Sequence, residues 1–310
     1  MKTTDATHPD QRVTGQDRSA SALAIDVGGT KLDVGLVADD GSVIVRHRAP
    51  TPSGGSGDEL FGVIADLVAR VLSSADISPI VCGVGTGGPM TGGGRSVSPV
   101  NIPAWRGFPL LGRVEELTGL PTFVDNDAKA LAIGEGRFGA AVGVGNYLAM
   151  VVSTGVGGGI VLDGRLLDGV DGNAGHVGHI CVVPDGRLCG CGARGCLEAE
   201  ASGTAIAAIA GRPAVDASAE VIERTGMLVG RAVASVANLL DLRLAVVAGS
   251  VALGFGEPFF TAARAEIAER AQLDHSRGLE IRPGGLGSDG PLIGAACVGW
   301  AGLGSVVSPT

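Results

Sequence analysis

The sequence predicts an α/β protein built as two similar lobes, and two observations carry that expectation. The first is a repeated opening. "LAIDVGGTKLDVGLVADDGSVI" (23–44) reads as strand, glycine turn, strand, Asp-Asp-Gly turn, strand. "LAMVVSTGVGGGIVLDGRLL" (148–167) follows the same order, with an Asp-Gly turn before its last strand. The second is the alternation of helical stripes and short apolar strands behind each opening, which belongs to α/β folds. Ligands are then expected at the carboxyl ends of strands and in the cleft between lobes.

The elements follow in order. "DELFGVIADLVARVL" (58–72) places apolar residues at 60, 61, 64, 67, 68, 71 and 72, one helical face. "PIVCGVGTGG" (79–88) is a buried strand entering a loop, and "LLGRVEELTG" is a short helix closed by Gly119. "LPTFVDNDAKALAIGEGRFG" (120–139) is strand then helix, with Asn126 and Asp127 at the junction. After the second opening come helices near 200–210 and 226–240 and the strand "RLAVVAG" (243–249). A helix near 257–272, the strand "LEIR" and a terminal helix over 291–303 complete the chain.

Composition narrows the class. The 310 residues are 45% hydrophobic but only 3% aromatic, so the core is aliphatic. The 53 glycines follow no collagen-like period and read as tight turns and close backbone approaches. A net charge of −9 argues against a nucleic-acid partner. Residues 1–21 are polar and read as a disordered tail rather than a signal peptide, and no run of 18 apolar residues spans a membrane. A cytoplasmic protein without disulfides is expected.

Three motifs carry chemistry. His179, Cys189, Cys191 and Cys196 form H-x9-C-x-C-x4-C, a tetrahedral N/S ligand set whose interleaved glycines let a short loop wrap one zinc ion. Four filled positions make such a zinc structural. Cys82, Cys181 and Cys297 read as core. Next, no "GK" dipeptide exists, which excludes a Walker A loop, and "GVGTGG" (83–88) runs into Pro89 instead of a helix. The better phosphate candidates are "DVGGTK" (26–31) and "STGVGGG" (153–159), one in each half, offering backbone N–H groups and the hydroxyls of Thr30, Ser153 and Thr154. Asp26 could orient Mg2+ through water. An ordinary hairpin explains one such turn, though less readily a matched pair. Finally, "VDND" (124–127) puts Asp127 at a strand end and helix start, either as a helix cap or as a base acting on a substrate hydroxyl beside Asn126.

Taken together, "DVGGTK", "NDA", "STGVGGG" and the histidine–cysteine loop occur in an order and spacing that resembles the ROK family of sugar kinases and repressors, from about residue 22 to the C-terminus. The resemblance implies a two-lobed, actin-like (ribonuclease H-like) ATPase fold with a structural zinc loop. Its lobes would be 22–125 plus 291–310 and 126–290, the last helix packing back on the first. It implies ATP, Mg2+ and Zn2+ as cofactors and a homodimer or homotetramer.

Residue by residue, the resemblance makes Asp127 the catalytic base. Asn126, His179 and Glu198 would bind sugar hydroxyls, and Gly88 of "GTGGPM" and the "SPVNIPAW" segment would form the other pocket wall. Asp26, Gly28, Gly29, Thr30, Lys31, Ser153, Thr154, Gly155, Gly157 and Gly158 would hold the nucleotide phosphates. Gly249 of "VVAGSV" would meet the adenosine, although Ala248 stands where glycine is usual.

The repressors of the family carry a winged-helix domain, for which the roughly 25 residues before Asp26 are too few, and the acidic charge also favours the enzyme. Where most family kinases have Glu-x-Gly-His, this chain has "AGHVGH", with His176 in place of glutamate. That replacement resembles the branch acting on N-acetylmannosamine, glucose being the alternative and a sugar-responsive regulator without kinase activity a third reading. His176 is expected to face the sugar, where a neutral imidazole offers one donor and one acceptor and so can serve an amide carbonyl or an axial 2-substituent.

Overall fold

The computed structural model describes residues 20–304. The tail expected over 1–21 falls outside these residues up to position 19, as do residues 305–310 of the first lobe. Ser21, assigned to the tail, opens the first strand and pairs with Ala38.

The first half runs β1 (Ser21–Val27), β2 (Lys31–Ala38), β3 (Val43–Pro50), α1 (Gly57–Ser73), β4 (Val81–Thr86), α2 (Leu110–Thr118) and β5 (Thr122–Asn126). α1 starts on a capping box, in which Glu59 N donates to Ser56 Oγ and Ser56 N donates to the Glu59 carboxylate. Its stripe Leu60, Phe61, Ile64, Leu67, Val68 and Val71 is buried; Leu72, expected with them, is exposed. α2 closes on Gly119, whose φ of +67° suits glycine.

The second half begins with α3 (Asp127–Phe138), then β6 (Tyr147–Val152), β7 (Val156–Leu162), β8 (Arg165–Leu166), α4 (Leu197–Ala201) and α5 (Gly203–Ala210). α6 (Ala219–Leu240), β9 (Leu244–Ala248), α7 (Ser250–Phe255), α8 (Glu257–Arg270), β10 (Glu280–Pro283) and α9 (Gly290–Gly302) complete it. Two helices differ from expectation. The helix near 200–210 is broken at Ser202, whose side chain caps α5, and Gly256, at φ +60°, separates the unexpected α7 from α8.

The duplication goes deeper than the repeated opening. One sheet has the order β3-β2-β1-β4-β5 and the other β8-β7-β6-β9-β10, with three antiparallel strands followed by two parallel ones in each. α1 covers one face of the first sheet and α9 the other, while α6 and α8 cover one face of the second sheet and α3 the other. α3 and α9 therefore lie between the sheets and pack on each other, α9 on the first sheet although it follows β10 of the second, and α3 on the second although it follows β5 of the first. Glycines allow this. A Cβ on Gly83 of β4 would collide with the Ala295 carbonyl of α9, and one on Gly134 of α3 would come within 3.2 Å of Gly294 Cα. No helix among the described residues is long and apolar enough to cross a membrane.

Candidate active site

The floor of the cleft is made by the carboxyl ends of β1, β4 and β5, where parallel strands leave backbone and side chains free for ligands. In register, Asp26 lies beside Gly85 and Gly85 beside Asp125. β5 then turns into α3. Asn126 caps that helix, its side chain accepting from Ala128 N at 3.0 Å, so capping falls to the asparagine. Asp127 is the first helical residue. One of its oxygens accepts from Ala128 N at 2.8 Å, leaving the other for a ligand.

Two carboxylates thus share a confined space. Burial raises the pKa of Asp26 from 3.8 to about 7, Asp127 adds to the rise, and Lys31 opposes it. Burial also pushes Asp127 up, against the pull of the Ala128 amide and of His176, with Glu198 adding to the rise. Asp127 nevertheless keeps an open face toward the cleft.

The two glycine turns are built as tight hairpins. Gly28 N donates to Lys31 O at 3.0 Å, and Thr51 Oγ1 ties down Gly28 O at 2.6 Å, leaving Gly29, Thr30 and Lys31 exposed. In the second turn Ser153 N donates to Gly155 O at 2.9 Å, and Ser153 Oγ meets Ser250 Oγ at 2.9 Å. Thr204 Oγ1 donates to Thr154 O at 3.0 Å. Gly157 and Gly158 fall inside β7, where a Cβ would reach 2.9 Å from Ala128 Cβ and 2.7 Å from Val177 Cγ2 respectively, so close packing requires both. Gly249, at φ +101°, joins β9 to α7 against the Val152 carbonyl. A cavity of about 280 Å3 joins the halves: Asn101, which backs Gly29, lines it together with Thr154, Gly155 and Glu198. Glu198 is fixed there, accepting from Val156 N at 3.0 Å.

Gly88 marks the other wall. A Cβ on it would lie 3.6 Å from both Asn126 Nδ2 and His176 Nε2, so three expected sugar contacts converge at one point. His176 Nδ1 lies 2.8 Å from the carbonyl oxygen of Asn173. A carbonyl only accepts, so Nδ1 carries a proton, and whenever the ring is neutral Nε2 is the acceptor. The sequence-based expectation of a free donor for an amide carbonyl is corrected accordingly: that donor is already used.

Behind His176, the ring of His179 stacks at 6.1 Å. His179, Cys189, Cys191 and Cys196 bring their donor atoms within 4.8 Å of one another. The Cys189 Sγ–His179 Nδ1 and Cys191 Sγ–Cys196 Sγ separations are 3.6 and 3.8 Å. A tetrahedral ion about 2.3 Å from sulfur and about 2.1 Å from nitrogen needs S–N edges of about 3.6 Å and S–S edges of about 3.8 Å, so the cluster fits such an ion. His179 would bind it through Nδ1; its Nε2 has no hydrogen-bond partner among the described residues. Cys82 and Cys297 are buried as expected, but Cys181 is exposed. Its segment forms a single bridge to Cys196 at the loop margin rather than a core strand.

Two residues absent from the sequence-based site stand out. Lys129 is fully buried on α3, and its ammonium reaches Asp125 at 2.9 Å, Asp168 at 2.7 Å and Gly172 O at 3.1 Å. Asn173 bonds the Met90 backbone across the cleft, Met90 N to Oδ1 at 3.4 Å and Nδ2 to Met90 O at 3.2 Å. A lysine inside an otherwise apolar helical stretch was a signal for the first. Nothing in the sequence marked the second.

The model of the ROK family matches residues 22–299. An N-acetylmannosamine kinase of Citrobacter koseri is 39% identical over 251 residues, covering 76% of this chain and 85% of that protein. A ROK glucokinase of Streptomyces griseus, solved with glucose and AMPPNP, superposes with a TM-score of 0.80 at 29% identity, covering 91% of this chain and all of that one (100%). A ROK transcriptional regulator, a homolog of the E. coli MLC protein, gives a TM-score of 0.77 at 25% identity, with 90% of this chain and 78% of that chain covered.

Proposed function

The chain belongs to the ROK family, and on that premise we propose that it is a sugar kinase that transfers the γ-phosphoryl group of ATP to the 6-hydroxyl of N-acetylmannosamine. The observation that carries this reading is the placement of Asp127. It opens α3 with one oxygen free, faces Asp26 across Gly85, and stands beside the point where Gly88, Asn126 and His176 meet.

The residues divide the work. Asn126, His176, His179 and Glu198 position the sugar so that its 6-hydroxyl meets the free oxygen of Asp127. Asp127 takes the hydroxyl proton as the oxygen bonds to the γ-phosphorus and the bond to the β–γ bridging oxygen breaks, leaving ADP. A carboxylate held above its usual pKa is a stronger base for that proton. The turns at 26–31 and 153–155 hold the phosphates, with Gly249 toward the adenosine. Mg2+, oriented through Asp26, would supply charge neutralisation on the phosphates. The His179–Cys189–Cys191–Cys196 cluster would hold a structural zinc, which would stiffen the loop bearing His179. In this reading residues 22–125 with 291–304, the described part of 291–310, form one lobe and 126–290 the other, with the reaction between them.

Glucose is the second reading, favoured by the likeness to the Streptomyces griseus enzyme. Turnover with ATP over a panel of hexoses and N-acylhexosamines separates the two. Highest kcat/KM for N-acetylmannosamine is expected; highest kcat/KM for glucose overturns the sugar assignment, and turnover of neither overturns the kinase.

A further inference from the structure

We propose that Asn173 is a positioning residue that holds His176 in one tautomer and sets its distance from Gly88, an inference that rests on the sugar-pocket reading above. Three observations converge on Asn173. Its carbonyl takes the Nδ1 proton of His176 at 2.8 Å. Its side-chain amide pairs reciprocally with the backbone of Met90, two residues beyond Gly88 and on the first half of the molecule. The loop that carries it is anchored just before, because the buried Lys129 binds both Asp168 and the carbonyl of Gly172.

The consequences are chemical. A histidine side chain free to rotate presents either a donor or an acceptor, according to which nitrogen holds the proton. Here the backbone carbonyl of Asn173 binds the proton-bearing Nδ1, so the neutral ring is left with Nε2 as a lone-pair acceptor. It lies 3.6 Å from where a Gly88 side chain would begin. The pocket therefore meets a sugar O–H or N–H donor with an acceptor, the same polarity as a carboxylate but with one lone pair and no fixed charge. The Met90 pairing joins the two halves at the same point. It fixes how far the Gly88 wall stands from His176, which is the width available to the 2-substituent.

Removing the amide should loosen the fit of the sugar without touching the base or the phosphate turns. Asn173→Ala is expected to raise KM about tenfold for whichever sugar the wild-type protein turns over best, the size expected for a lost hydrogen-bond arrangement. kcat should stay within about threefold, with KM for ATP unchanged. Asn173→Asp, which keeps an acceptor for Met90 N but sets a carboxylate oxygen against the carbonyls of Met90 and Asp171, should be no better than alanine. Long-range 1H–15N spectra of the histidine-labelled full-length protein, at a pH where the ring is neutral, should show His176 protonated at Nδ1. Asn173→Ala keeps the backbone carbonyl but frees the residue from Met90, so the Nδ1 contact should loosen and both tautomers should appear. An Nε2-protonated His176 in the wild type, an unchanged spectrum in Asn173→Ala, or a loss confined to kcat overturns the proposal. The spectra need no substrate, so absence of turnover by the wild type would count against the kinase reading and leave the tautomer result standing.

Discussion

Asp26 and Asp127 face one another across Gly85: a Cβ built on that glycine would lie 3.8 Å from Asp26 Oδ1 and 3.7 Å from Asp127 Cα. Two carboxylates so placed, one near the end of β1 and one at the start of α3, cannot both ionise freely. The cost falls on Asp26, whose pKa rises from 3.8 to about 7, burial being the larger cause and Asp127 the next.

That cost is measurable as stability. Below the ordinary value both folded and unfolded chains hold the Asp26 proton. Between 3.8 and about 7 only the folded chain does, so the contribution of Asp26 to stability falls as pH rises through that window and stays low above it. Asp26→Asn removes the charge. The variant should melt higher than wild type at pH 8, by no more than roughly 4 kcal/mol, with the difference shrinking toward pH 4. It should also lose turnover. Equal melting curves at pH 8 would mean that Asp26 is not the strained member of the pair.

Asp127 is the member whose replacement should remove the chemistry without loosening the fold. Asp127→Asn preserves shape and the bond to the Ala128 amide, and Asn126 already caps the helix. Turnover should drop by roughly 10²-fold or more through loss of the base. Sugar binding measured by calorimetry should survive. Near-normal turnover would leave Asp127 without a catalytic part.

For the histidine–cysteine cluster, metal analysis of the purified protein should find about one zinc per chain. Cys191→Ala breaks the Cys191–Cys196 edge and should release the ion. Structural zinc contributes on the order of ten kcal/mol to local folding, so the loop bearing His179 should loosen, lowering the melting temperature and raising KM for the sugar. Metal-free protein with unchanged stability would end this assignment.

How far these sites were legible in the sequence follows from how local each signal is. The repeated openings and the H-x9-C-x-C-x4-C spacing are written in short windows, and the sheets and the four-donor cluster follow them. Asp127 stood at a strand-to-helix junction, which hydrophobic pattern and turn chemistry mark directly. Cys181 misled because an apolar neighbourhood of four residues cannot reveal that its segment forms only one bridge at a loop margin. α7 was missed because six residues are too few to establish a helical period. Asn173 was invisible for a different reason. Its partner Met90 lies 83 positions away, in the other half, and only the packed fold brings them together.

His176 links the sequence argument to the structural one. Its Nδ1 proton is held by Asn173, so Nε2 offers a single acceptor to the pocket. A glutamate at this position would offer two charged oxygens and accept from two adjacent hydroxyls at once. Glucose carries such a pair at adjacent equatorial positions, whereas N-acetylmannosamine replaces the 2-hydroxyl with an axial acetamido group, whose single N–H lies off that plane beside a bulky acyl group. The imidazole therefore suits the amide sugar, and a carboxylate would be under-used by it. The wild-type protein should prefer N-acetylmannosamine, and His176→Glu should move the ratio of kcat/KM values toward glucose. A polar group left unpaired beneath a bound sugar costs about 1–3 kcal/mol, so the shift should be roughly ten- to a hundred-fold. The effect should lie in KM, because Asp127 and the phosphate turns are untouched. Identical ratios for the two proteins would show that His176 takes no part in choosing the sugar.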